Sequence, residues 1–397
     1  MLELVIIKQG EIKQNLLLED GKIIEYYDEE QIDNRNEGNI FLGVVRDIID
    51  GMDAAFVDIG TEKNSYIHLC EILPKIDETK IDKNKEQSKL RIRDVVKEKD
   101  KILVQVKKDS NELKGARIST HINLPGKYIA LMPNTDIITV SQKIEDKQEQ
   151  ERLKKLVKEN LKPGNGAVIR TAAKGKTQEI IDDINQLEKQ WETIDNNYKK
   201  LKVKKPQLIY KGYDIAQKIL IDLSNKGIDK IISNDKSEIE KIKNFASKEK
   251  EFSKLKYELK DLKSLENMYD IENQISKIEK RKIWLKCGGF ITIDKTEALT
   301  AIDVNTGKFT EGKSLSDIIF KVNEQATIEI AKQIRLRDIG GIIIIDYIDM
   351  ARKGDKEKIE TTLKKCLKED RAKTQVEGFT KLDLMELTRK HICSHKN

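Results

Sequence analysis

Two apolar runs that end in acids, with one long amphipathic segment between them, constrain this chain more than any other feature. The first reads Ala298-Leu299-Thr300-Ala301-Ile302-Asp303 and leads into the turn-like Val304-Asn305-Thr306-Gly307; the second reads Gly341-Ile342-Ile343-Ile344-Ile345-Asp346. Between them, Leu315 to Ile339 carries Ile319, Val322, Ala326, Ile330 and Ile334 at steps of three or four, a helical face, with Gly340-Gly341 as its stop signal. A strand, a long helix and a second strand make a crossover unit, which sets its strands parallel. Parallel strands end on one edge of the sheet, where open α/β sheets bind ligands. Asp303 and Asp346, far apart in sequence, therefore meet on that edge.

An acid at a strand end is ordinarily a turn former or a helix cap, and Asp303 alone would be read so. Asp346 continues an unbroken run of four isoleucines, and a buried charge there needs a partner. Asp349 reads as a cap or surface acid. Two acids held together call for a cation. Magnesium fits best, because it takes one or two protein carboxylates and leaves its other positions to water and substrate phosphate. Such an ion acidifies water and neutralises charge on a phosphodiester. Asn305, two residues beyond Asp303, is placed to orient water or the phosphate.

At 397 residues the chain is long enough for several domains. Its 75 basic and 69 acidic residues nearly cancel, so a nucleic-acid site has to come from local sorting of charge. Its four cysteines (Cys70, Cys287, Cys366, Cys393) are widely spaced, which excludes a disulfide framework or a zinc knuckle and fits a reducing cytosol. The N-terminal run Met1 to Lys8 is strand-like rather than a signal peptide, and no apolar stretch approaches membrane-spanning length. A cytoplasmic protein is expected.

Upstream, Leu17-Leu18 and Ile23–Tyr27 flank the hairpin signal Asp20-Gly21. Short strands follow at Ile40–Val45, Ala54–Ile59, Tyr66–Leu69 and Ile102–Val106, a density that predicts a small barrel, with Lys75–Lys89 as a solvated loop. Alternation puts Ala55, Val57, Ile59, Ile67 and Leu69 in the barrel core. Phe56 and Tyr66 then lie on the outer face, either as base-stacking residues or as an ordinary cross-strand pair. Lys107, Lys108 and Lys114 stand near the last strand, within reach of phosphates or simply solvated. Next, Gly166–Ala172 reads as a strand bearing Arg170 and Thr171, a planar fork and a hydroxyl suited to a terminal phosphate, although a lone arginine more often makes a surface ion pair. A helix over Thr177–Leu201 follows, with Ile180, Ile184, Leu187, Trp191, Ile194 and Tyr198 on its packing stripe. Residues 206–282 carry strands at Gln207–Lys211 and Lys230–Ser233, a helix at Asp214–Leu223, and no legible chemistry. His391, Cys393 and His395 stand where the chain ends and make a weak metal motif.

The stretches Glu297–Asn305, Ile334–Gly341 and Ile344–Met350 resemble the catalytic signature of the ribonuclease E/G endoribonucleases; Ala54–Gly60 and Val168–Ala172 resemble the family's barrel and its 5′-end sensor. The resemblance covers essentially the whole chain in order. It implies a multidomain α/β and β protein: an RNase H-like scaffold (residues 1–35 and 206–282) split by an S1-like OB barrel (36–119) and a 5′-sensor α/β domain (120–205), then a DNase I-like catalytic α/β domain (283–397). It also implies roles. Asp303 and Asp346 are the ligands of one magnesium ion per active site, supported by Asn305. Arg170 and Thr171 hold a 5′-monophosphate. Phe56, Tyr66, Lys114 and, more weakly, Lys108 grip single-stranded RNA, and Lys373 takes the place of an arginine near the active site. Gln142-Lys143 departs from an expected Arg-Arg pair. The family's Cys-Pro-x-Cys zinc link is not found before the last residue, so no zinc is expected and any homodimer would lack a zinc bridge.

The expected activity is magnesium-dependent cleavage of single-stranded RNA, favoured by a 5′-monophosphate, leaving 5′-phosphate and 3′-hydroxyl ends, in rRNA maturation or mRNA turnover. Two competing readings are a non-catalytic RNA-binding or ribosome-associated factor, and a DNA-cleaving phosphodiesterase. Retention of both aspartates and Asn305 speaks against the first; the barrel aromatics speak against the second.

Overall fold

A computed structural model describes residues 1–29, 36–72, 90–110, 114–201, 205–224, 226–247, 250–307 and 314–393. The expected loop Lys75–Lys89 and His395 lie outside these residues. The chain forms two compact units: residues 1–33 with 215–395, and residues 34–214.

The first unit holds two sheets. One has five strands in the order Lys256–Leu259, Lys230–Ser233, Leu2–Gln9, Ile12–Glu19, Lys22–Glu29. Its hairpin turns through Asp20 and Gly21, both at positive φ (49° and 76°), as the Asp-Gly signal requires. Leu2–Gln9 is parallel to Lys230–Ser233 and antiparallel to Ile12–Glu19. The second sheet has six strands in the order Lys282–Trp284, Phe290–Lys295, Leu299–Asn305, Gly341–Asp346, Leu384–Arg389, Thr374–Phe379. Its central pair, Leu299–Asn305 and Gly341–Asp346, is parallel; every other pairing in it is antiparallel. The crossover helix between them spans Leu315–Leu336. Its Val322, Ala326, Ile330 and Ile334 pack on Ile302, Val304, Ile343 and Ile345, all buried, beside Ile359 and Leu363 of the Asp355–Leu367 helix. Truncating one of these isoleucines to alanine should cost about 2–5 kcal/mol.

Two expectations for this region are corrected. The helix is stopped by Asp338, at φ 47°, and not by Gly340-Gly341; Gly341, at φ 85°, opens the next strand. The isoleucine run is not uniformly buried: Ile343 and Ile345 face the helix, whereas Ile342 is 49% exposed. Period-two alternation therefore carries Asp346 onto the open face, and it is exposed rather than buried.

In the second unit, strands Ile40–Ile49, Ala54–Asp58, Ser65–His68, Arg117–Ser119 and Lys101–Lys108 close into a barrel, since the first pairs with both the second and the last. Ala55, Val57, Ile59 and Ile67 fill its interior as alternation predicted, while Leu69, at the start of a short turn, is only half-buried. A four-stranded sheet follows, in the order Ile138–Val140, Asn165–Ile169, Ile129–Pro133, Leu124–Pro125, covered by the helices Lys147–Asn160 and Gln178–Lys200. The strand Gln207–Tyr210 pairs with Ile40–Ile49, so it belongs to this unit and not to the scaffold segment expected from residue 206 onward. Its apolar residues gave no sign of which sheet would accept them.

Candidate functional site

Asp303 and Asp346 are register partners on the two parallel strands of the six-stranded sheet. Adjacent strands lie about 4.8 Å apart, and residues in register point to the same face. Both side chains are exposed on the face opposite the crossover helix. Partial desolvation pushes the Asp346 carboxyl above the ordinary aspartate range, and the charges of Asp303 and then Asp349 push it further. Among the described residues no cation forms an ion pair with either acid. Asp303 instead accepts a hydrogen bond from the Asn305 amide at 2.5 Å. Asn305 is the last strand residue, and the turn beyond it uses Gly307 at φ 59°, a conformation that favours glycine.

Two like charges held side by side, with no ion-pair partner among the described residues, suit a divalent ion. Among the described residues no group of three or more histidine, cysteine or acidic side chains could hold a metal. Two carboxylates with open surroundings fit magnesium, which keeps several of its positions for water.

Residues outside the sequence expectations hold the pair in place. Asn323, fully buried on the crossover helix, clamps the backbone of Ile348: its Nδ2 donates to the Ile348 carbonyl at 2.8 Å and its Oδ1 accepts from the Ile348 amide at 3.2 Å. One turn later, Thr327 Oγ1 lies 2.8 Å from the Tyr347 hydroxyl. These bonds fix the chain immediately after Asp346. At the helix C-terminus, Asp338 accepts from Arg389 Nη1 at 2.6 Å and from the Ile392 and Cys393 amides, and Asp370 accepts from Arg389 Nε at 2.7 Å, with all three charged side chains buried. The signal was available: Asn323 and Thr327 interrupt an apolar helix face with groups that can be buried only if bonded. On the open face, Arg281 pairs with Asp294 (2.5 Å and 2.7 Å) and feels the charge of Asp303. Lys282 is in register with Thr292, which is in register with Asp303.

On the barrel, Phe56 faces Tyr66, Tyr66 faces Arg117, and Arg117 faces Lys108 across successive strands, a single row of two aromatics and two cations. The two rings meet edge-on, with centroids 6.4 Å apart, and both are half-buried. This is the cross-strand aromatic pair that alternation allowed, and its half-buried rings leave surface open on the outer face. Lys108 and Lys114 are exposed, whereas Lys107 donates to Gln105 Oε1 and the His121 carbonyl. Arg117, absent from the sequence expectations, is ion-paired with Glu71.

Arg170 closes the Asn165–Ile169 strand, and Thr171 begins a short turn. Arg170 Nη1 donates to the Gly126 carbonyl at 2.7 Å, and Thr171 Oγ1 lies 2.9 Å from Ser141 Oγ. The Gly126 loop is itself held by Asp183, whose carboxylate accepts from the amides of Lys127 (3.3 Å), Tyr128 (2.8 Å) and Ile129 (3.0 Å). Burial raises the Asp183 pKa, against the pull of those three donors. A Cβ on Gly126 would come within 2.7 Å of both Asp183 oxygens, so the close approach needs glycine. Asp183, next to Ile184 on the helix stripe, was not anticipated. Gln142 is exposed and Lys143 half-buried.

Lys373 lies elsewhere. It precedes Thr374, which is in register with Arg389 and through it with Gly341, at the strand end opposite Asp346. The expectation that it stands near the carboxylates is therefore not met; Thr374–Phe379 runs in the same direction as Gly341–Asp346, so the residue that precedes it lies at the Gly341 end, away from Asp346. Cys393 is buried and His391 Nδ1 lies 2.9 Å from the Asp338 carbonyl, in structural rather than ligating positions. No helix among the described residues is long and apolar enough to cross a membrane.

Comparison with known proteins gives concordant matches. Residues 123–392 match the profile of the Ribonuclease E/G family. Ribonuclease G of Salmonella typhimurium is 38% identical over 378 residues, covering 94% of this chain and 76% of the relative. Ribonuclease G of Escherichia coli K12 is 38% identical over 381 residues, with the same coverage. Ribonuclease E of Nostoc sp. PCC 7120 is 33% identical over 391 residues, covering 95% of this chain and 56% of the longer relative.

Proposed function

This chain belongs to the ribonuclease E/G family and is an endoribonuclease of RNA processing or decay, and on that premise we propose that it cuts single-stranded RNA at Asp303 and Asp346 with magnesium. The observation that carries the reading is the in-register pairing of those two acids on parallel strands, exposed and without a cationic partner among the described residues. Magnesium held by Asp303 and Asp346 would supply positive charge to the phosphodiester and acidify water near it. Asn305 orients the Asp303 carboxylate through its amide, and Asn323 keeps the chain after Asp346 from shifting. Hydrolysis with water entering opposite the 3′ oxygen leaves 5′-phosphate and 3′-hydroxyl ends.

Substrate holding is divided. Phe56 and Tyr66 stack bases, with Arg117, Lys108 and Lys114 toward phosphates, a mode that reads sequence loosely. Arg170 and Thr171 receive a 5′-monophosphate, the guanidinium supplying charge and a fork of donors and the hydroxyl a further bond. Ser141 joins them through its contact with Thr171 and stands beside Gln142-Lys143, where the family's arginine pair was expected.

The direct test is incubation of 5′-monophosphorylated and 5′-hydroxyl single-stranded RNA, and a matched DNA, with and without magnesium, followed by sizing and end analysis. Magnesium-dependent cleavage of RNA only, faster for the monophosphorylated substrate, is expected. Cleavage that persists without divalent cation, or equal cleavage of DNA, would overturn the reading.

A further inference from the structure

The open face of the six-stranded sheet continues past the carboxylates into an aromatic patch that the reaction as proposed leaves unused. Asn305 is in register with Phe290, and Phe290 with Trp284 on the edge strand. Register partners share a face, so both rings lie on the side of the sheet that carries Asp303 and Asp346. Trp284 is 62% exposed and meets Phe290 edge-on, with ring centroids 5.3 Å apart. The Lys282 ammonium lies 4.2 Å from the Trp284 ring centroid and 3.6 Å from that of Phe290. Lys282 is exposed and forms no ion pair among the described residues.

We propose that Trp284, backed by Phe290 and accompanied by Lys282, is a stacking subsite for one of the two nucleotides that border the scissile phosphate. The proposal rests on Asp303 and Asp346 being the cleavage site. Isolated apolar residues are common on protein surfaces and usually mean nothing. This one differs in three respects. Its indole is the largest ring a chain can offer a base, and it stands two strands from Asn305. Phe290 holds it from one side, so less freedom is lost on stacking. Lys282 adds positive charge where a polyanion approaches, next to two acids that would otherwise repel it. The occupant is a nucleobase with its phosphate. Since an aromatic face offers no hydrogen-bonding code, the subsite positions the strand without choosing a sequence.

The experiment uses a single-stranded RNA with one mapped cut, prepared intact and with an abasic residue on either side of it. Trp284→Ala should raise KM about tenfold with kcat nearly unchanged, as expected for loss of one base stack, and Trp284→Phe should recover most of it. In the unsubstituted enzyme one of the two abasic RNAs should show a similar rise in KM; in Trp284→Ala it should show none beyond that of the variant. The chain has two tryptophans. Trp191→Phe, on a helix of the other unit, leaves Trp284 as sole reporter, and the intact RNA without magnesium should quench its fluorescence. Unchanged KM in Trp284→Ala, equal abasic losses in both enzymes, or no quenching would overturn the subsite. Asp346→Asn separates the two readings. If it abolishes cleavage while Trp284→Ala has no effect, only the subsite falls; if cleavage survives Asp346→Asn, the carboxylate reading falls, whatever Trp284 does.

Discussion

The two proposed sites, the carboxylate pair and the phosphate cradle at Arg170, are built in opposite ways. Asp303 and Asp346 are set side by side by strand register alone, exposed, repelling each other and with no ion-pair partner among the described residues. Arg170 is held: its guanidinium donates to Gly126, whose loop hangs from buried Asp183, and Thr171 touches Ser141. A spherical ion needs charge at the right separation and supplies its own order on binding. A terminal phosphate has shape, so its receptor has to be aimed beforehand.

The largest effect should come from breaking the first arrangement. Asp303→Asn or Asp346→Asn removes half the charge that a divalent ion meets, and kcat should drop by about 10³-fold or more, while RNA affinity in a filter-binding assay changes little. Turnover within tenfold of the parent in either variant would rule the pair out. Arg170→Ala should erase a preference of about ten- to a hundredfold for 5′-monophosphate over 5′-hydroxyl RNA, with cleavage of the hydroxyl substrate unchanged. If the cradle is pre-aimed, Asp183→Ala should weaken the same preference severalfold although Asp183 contacts no RNA. It should also lower stability by about 2–3 kcal/mol in urea unfolding, since three amides lose their acceptor. A full preference in that variant would show the cradle stands without its support.

The smallest effect sharpens the comparison by titration. Partial burial and the charges of Asp303 and Asp349 raise the Asp346 pKa, so in the metal-free protein its charged form is less favoured than that of an ordinary aspartate, and acidification through that pKa relieves the repulsion. If both carboxylates hold the metal as proposed, both must be ionised, and activity should therefore fall on the acid side at a higher pH than an ordinary aspartate would give. Asp303→Asn should bring the Asp346 titration, followed by carboxyl NMR, back down. A titration that does not move would mean that the two acids do not feel each other.

Much of this was legible beforehand. The crossover unit, its parallel pair, the buried helix stripe and the barrel follow from periodicity, because alternation and the three-four step leave few ways to bury those residues. Asp303, Asn305 and Asp346 came from the same pattern. The burial of Asp346 was misjudged because four consecutive isoleucines read as a strand covered on both sides, whereas Ile342 is left open. The position of Lys373 was misjudged because a resemblance aligns residues along the chain without saying which end of a hairpin they occupy.

The order of apolar and polar residues determined by itself which segments become strands and helices and which acids end on one sheet edge, since local sterics and burial act within a few residues. Only the tertiary structure decided that Asn323 clamps Ile348, that Asp183 holds the Gly126 loop, that Gln207–Tyr210 joins the barrel strand, and that Trp284 shares a face with Asp303. These depend on pairings between distant segments, where each polar group takes whichever partner the completed packing brings within hydrogen-bond reach.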